Sequence, residues 1–143
     1  MNTISVEILN NKKRNYQNTI NNARNEISKY EEEYDVLVKF KSIVQQSHAE
    51  FNDANVVQKE LLQNLKPYYD FNSCAKIYGE EIGDFIDGVG VKLIGFAYQS
   101  LVSMIDLKMK SSYKKISDLN DKILFCKDQI EEIDEEIRIQ MNS

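Results

Sequence analysis

Two apolar seams, each stepping by 3 and 4 residues, dominate the chain. The first runs Tyr16, Ile20, Ala23, Ile27, Tyr30, Tyr34, Leu37. The second is longer: Val91, Gly95, Tyr98, Val102, Ile105, Met109, Ser112, Ile116, Leu119, Ile123, Cys126, Ile130, Ile133, Ile137. A 3.5-residue average spacing lays one stripe along an α-helix and turns it toward another helix. Strand-like alternation of any length is missing from the sequence. These patterns predict an all-α fold, a long antiparallel two-helix hairpin of coiled-coil type.

The helix breakers agree with that division. The one proline is Pro67, and the five glycines crowd between Gly79 and Gly95, so arm one is free of them and arm two meets one only near its start. Arm one is expected at about 3–66, because Pro67 disfavours helix in the residue before it. A turn region spans 67–90 and arm two runs from about 91 to 140, all within one domain. Asn72 or Ser73 has the chemistry of an N-cap for whatever follows the turn. Residues 73–90 read equally as a short helix near the turn or as loop, since glycines cost ~1 kcal/mol each inside a helix.

Charge fixes the direction of the arms. Glu31, Glu32 and Glu33 match Lys110, Lys114 and Lys115, and Lys12, Lys13 and Arg14 match the acidic stretch Glu131 to Glu136. Both matches join residues whose numbers add to roughly 145, as an antiparallel pair turning near Asn72 requires. Each exposed pair is worth only ~0–1 kcal/mol, so their value lies in choosing orientation.

The loop-proximal half carries more apolar surface than one seam hides. Val89 to Leu107 is apolar on nearly every face, and Phe40, Ile43 and Val44 lie in the facing sector of arm one. Two helices cover one stripe each, not their circumference. Either residues 67–90 fold back over this surface or another chain covers it, and the second is the preferred reading. Partner binding is therefore assigned to Phe40, Val44, Leu93, Phe96, Leu101 and Met104.

Chemistry finds little footing. His48 is the only histidine and sits one position off the extended first seam, without a ligand cluster around it. No Ser-His-Asp or Cys-His arrangement is present, and Gly88-Val89-Gly90 with Gly95 lacks the spacing of a nucleotide loop. The Glu131 to Glu136 acids read as a solvated helix face. Catalytic, metal and cofactor sites are thus expected to be absent, and the chain is not expected to be an enzyme. A net charge of −5 opposes nucleic-acid binding, which needs clustered Lys and Arg. Cys74 and Cys126 are expected as free thiols, too far apart along the arms to pair. The apolar window Leu93 to Ile105 is shorter than the ~20 residues of a membrane span, so none is expected. Synthesis in the cytoplasm without a removable signal is the corresponding expectation for localisation.

The segment Ile77-Tyr78-Gly79-Glu80-Glu81-Ile82-Gly83-Asp84-Phe85 resembles the signature of the WXG superfamily, the helical-hairpin proteins of type VII secretion. Ile77 stands where that family has Trp, Gly79 takes the Gly position, and Phe85 follows at the family's distance. The length of the arms and the second-arm sequence KISDLNDKILFCKDQIEEI look most like the extended members that accompany LXG-type toxins. The resemblance implies a turn shaped by Ile77, Gly79 and Phe85. It also implies a helical protein partner, a secreted toxin or another WXG-like chain, in a hetero-oligomer rather than a homodimer, and export without a cleaved signal peptide. No tyrosine here is followed four residues later by Asp or Glu, so the family's export motif would come from the partner. Two other readings compete: a prefoldin-like cytoplasmic holdase, which needs strands over Gly88 to Tyr98, and a homodimeric structural coiled coil.

Overall fold

A computed structural model describes residues 3–143, and they form an all-α protein. Helix α1 runs Thr3–Leu65, a 3-10 turn covers Lys66–Tyr68, α2 runs Ser73–Asp87 and α3 runs Val89–Met141. Among the described residues there is no strand. The residues fall into two compact units, one of 3–36 with 108–143, the other of 37–107.

In the first unit the two seams meet. Ile20, Ala23, Ile27, Ile123 and Cys126 form its core, with Tyr16, Ile116, Leu119 and Ile130 packed around them. Leu9 and Ile133 extend the buried row, and Ser112 is the most deeply buried side chain. The ion pair of Lys13 Nζ with Asp134 Oδ1 at 2.6 Å, and that of Lys108 Nζ with Glu33 Oε1 at 3.1 Å, show that the paired segments run in opposite directions. The register is the one that charge predicts, with one exchange of partner. Lys108 rather than Lys110 or Lys114 reaches the acidic triplet, while Lys115 sits over the Tyr30 ring, 5.1 Å from its centroid. Tyr16 meets Phe125 edge to face at 6.5 Å, an apolar contact at the margin of the seam.

In the second unit the first seam does not stop at Leu37. It continues with the same steps through Lys41, Val44, His48, Phe51, Asn55, Gln58, Leu62 and Leu65, all buried or half-buried. His48 therefore lies on the seam, not one position off it. It can do so because its ring stacks on Tyr98 at 4.8 Å and 10° between planes, with Phe51 beside them at 6.2 Å. Lys41 Nζ reaches Asp106 Oδ1 at 2.7 Å, so its amine finds a counter-charge at the edge of the seam.

The region 67–90 is mostly helix. Asn72 caps α2, its side chain accepting a bond from the Ala75 N–H at 3.1 Å, and α2 then runs to Asp87. Tyr78 donates to Gln58 Oε1 at 3.4 Å, and Lys59 approaches Asp87 at 3.9 Å, which docks α2 against the end of α1. Gly79 is buried because the Tyr69 phenol lies where its Cβ would be. Phe85 covers Gly90 in the same manner. Ile77 is exposed. The motif residues thus lie along α2 instead of shaping a turn, and the turn itself is the short stretch ending at Asn72.

Gly88 divides α2 from α3. Its backbone is extended, with φ −98° and ψ −167°, and a Cβ there would overlap the Asp84 carbonyl oxygen. A clash with backbone does not relax by a rotamer change. Gly88→Ala is therefore expected to destabilise by about 1–3 kcal/mol, against the ~1 kcal/mol that Ala gains over Gly in a helix interior. Near-ultraviolet circular dichroism of the tyrosines, with denaturant titration, checks this. A variant more stable than the parent would contradict the junction described.

Candidate interaction surface

Among the described residues no group of three or more His, Cys, Asp or Glu stands close enough to hold a metal ion. Cys74 is an exposed free thiol and Cys126 a buried one. What the second unit does present is apolar surface, and the continued seam gives it an order.

Two helices running in opposite directions are related by rotation about an axis perpendicular to both. The residues just before each seam position consequently fall on one side of the pair, and those just after fall on the other. The preceding side of α1 reads Phe40, Ile43, Ser47, Glu50, Ala54, Val57, Leu61, and that of α3 reads Ile94, Ala97, Leu101, Met104. One of these residues is charged, Glu50. The following side reads Val38, Ser42, Gln45, Ala49, Asn52, Val56, Lys59, Gln63 on α1 and Lys92, Phe96, Gln99, Ser103, Asp106 on α3. It is mostly polar, and α2 bonds to its Lys59 end. One side of the pair is mostly apolar and the other mostly polar, and both are open to solvent along most of their length.

The apolar side is broad. Ile43 is 60% exposed, Val57 61% and Met104 66%. Phe40 and Leu61 are exposed as well. Ile94, Ala97, Tyr98 and Leu101 line a shallow hollow of about 240 Å³ on this side. Soluble monomers rarely leave a contiguous apolar patch of more than a few hundred square ångströms bare.

The six residues assigned to partner binding do not form one patch. Phe40, Leu101 and Met104 come together on the open side. Val44 is 5% exposed and lies in the seam, where it packs inside the chain and offers nothing to a partner. Leu93 faces outward on the back of α3, and Phe96 sits on the following side; both are exposed. A solvent-facing assignment for Val44 fails because the first seam continues past Leu37. Conversely, Ile43, Glu50, Val57, Leu61, Ile94 and Ala97 belong to the open side. Their signal was present in the step of 4 and 3 carried on through Lys41, His48, Asn55 and Gln58, which are polar and so break the apolar reading of the stripe.

The same segment bears on the membrane question. The helical run Ser73–Met141 contains an 18-residue window of mean hydropathy 1.3, of which 6% is buried. Between Asp87 and Asp106 the sole charge is Lys92. By length and composition this helix is long enough to cross a membrane, whereas the stretch counted from Leu93 was too short.

Comparison with known protein families, with curated protein sequences and with solved structures returns no match.

Proposed function

We propose that the chain is a non-enzymatic helical adaptor. In this reading its arms form an antiparallel hairpin that lies beside the helical N-terminal region of a toxin, or beside another WXG-like chain, for type VII secretion. The single observation that carries the proposal is the open apolar side of the second unit, Phe40, Ile43, Val57 and Leu61 with Ile94, Leu101 and Met104. Its residues recur with the 3.5-residue period of the seam itself, which is the pattern a further helix fills. A partner seated there supplies the export motif that this chain lacks, and the pair leaves the cytoplasm together without a cleaved signal.

A lipid bilayer is the less favoured occupant. Tyr98 of the apolar window is stacked on His48 and packed on Phe51, so insertion of α3 would strip it from α1 and expose the seam. It would also carry Lys92 into hydrocarbon at a cost of a few kcal/mol. The prefoldin-like reading needs strands over Gly88 to Tyr98, and that stretch is helix from Val89 onward.

The test is to tag the C-terminus, isolate the protein from its native cells and identify co-purifying chains by mass spectrometry. One helical protein or toxin N-terminal region in stoichiometric amount is the expected result. Recovery of the chain alone, or of many unrelated unfolded clients, would overturn the adaptor reading.

A further inference from the structure

The open side of the second unit holds a single charge, and its position says what must lie opposite. Glu50 stands midway along the apolar row between Phe40 and Leu61 and is exposed. Its carboxylate accepts one hydrogen bond, from Gln46 Nε2 at 3.1 Å, and it forms no ion pair among the described residues. Any helix that covers Phe40 and Leu61 together also covers Glu50. A carboxylate taken out of water without a counter-charge is costly, and one that meets a cation in a well-formed hydrogen-bonded pair recovers much of that cost.

A second copy of this chain cannot answer that need. Laid two-fold on the open side so that the two second units cover each other, it brings either apolar residues of α1 and α3 or another Glu50, because within 37–65 and 89–107 that side contains no Lys or Arg. We infer that the occupant is a helical hairpin of a different chain, apolar along its contact stripe and carrying one Arg or Lys at the level of Glu50. Glu50 then acts as the selectivity element of the surface: the apolar residues hold a helix, and the carboxylate admits only one with a cation at that height. This rests on the helical-partner reading above and adds to it the charge that the partner carries opposite Glu50.

The probe is a synthetic antiparallel two-helix peptide with a Leu/Ala contact stripe, made in three versions with Arg, Gln or Glu at its centre. Sedimentation first gives the state of the purified chain, and fluorescence anisotropy then ranks the peptides. The expected result is a chain without a stable homodimer at micromolar concentration that binds the Arg peptide at least tenfold more tightly than the Glu peptide. Glu50→Gln should remove that ranking while keeping binding and helicity. Glu50→Lys should reverse it. A tight homodimer of the unaltered chain would assign the surface to a second copy and overturn the inference. Equal affinities for the three peptides, or none, would overturn it too, as would binding to phosphatidylglycerol vesicles in place of the peptides. A charge ranking found with the peptides, together with no helical chain captured from native cells, would sink the secretion reading and leave this one standing.

Discussion

Ile43→Asp is expected to weaken binding of the proposed helical partner about a hundredfold and to leave the chain helical. Ile43 is on the open side of the second unit, one turn from Phe40, and makes no part of the buried core. Covering its side chain contributes about 1.5–3 kcal/mol of association free energy. The aspartate forfeits that and adds a carboxylate on the same row as Glu50, which would have to be desolvated as well. A loss of at least ~3 kcal/mol is expected, or about a hundredfold in affinity. Val56→Asp is the companion variant, equally exposed but on the polar side, and it should bind within about threefold of the parent. Circular dichroism separates the two explanations of a null result. If Ile43→Asp loses helicity along with binding, the residue belongs to the fold and the surface is wrongly placed.

The second large effect concerns the first unit and separates two neighbours in sequence. Ile123 is 7% exposed and packs with Ile20, Ala23, Ile27 and Cys126, whereas Leu124 faces solvent. Ile123→Ala removes a buried side chain from a narrow core and should cost about 2–4 kcal/mol. Leu124→Ala should fall within about 0.5 kcal/mol of the parent. In thermal unfolding the first variant melts roughly 10 °C lower and the second is close to unchanged. Equal losses at both positions would mean that the seam does not carry the stability of this unit. The ion pairs at its surface are poor substitutes, since Lys13 with Asp134 and Lys108 with Glu33 are solvent-exposed and each contributes ~0–1 kcal/mol.

The contrast between these variants reflects what the sequence displays openly and what it hides. The second seam was legible in full, because fourteen positions from Val91 to Ile137 keep one period and every one of them is buried or half-buried. The first seam was legible as far as Leu37. Beyond it, Lys41, His48, Asn55 and Gln58 take inward positions, and polar residues there mask the period. Three of the four are accommodated by the flanking chemistry: Asp106 for Lys41, the Tyr98 ring for His48, the Tyr78 hydroxyl for Gln58. Losing the thread at that point placed Val44 on the surface and left the two sides of the pair undistinguished. The excess of apolar residues in the loop-proximal half was plain from composition alone, but composition does not say which side they share. Helix α2 stayed open between short helix and loop for a different reason. Its glycines, Gly79 and Gly83, argue against helix by propensity, and Gly79 is set by a tertiary contact with Tyr69 that no local pattern records.

Hydrogen exchange of the chain, alone and in the complex captured from its native cells, addresses the central claim most directly. If the open side of the second unit is where a helical partner lies, amides in 37–65 and 89–107 exchange more slowly in the complex, while those in 3–36 and 108–141 are unchanged. Protection confined to the latter segments, with 37–65 and 89–107 exchanging as fast as in the isolated chain, would contradict the account.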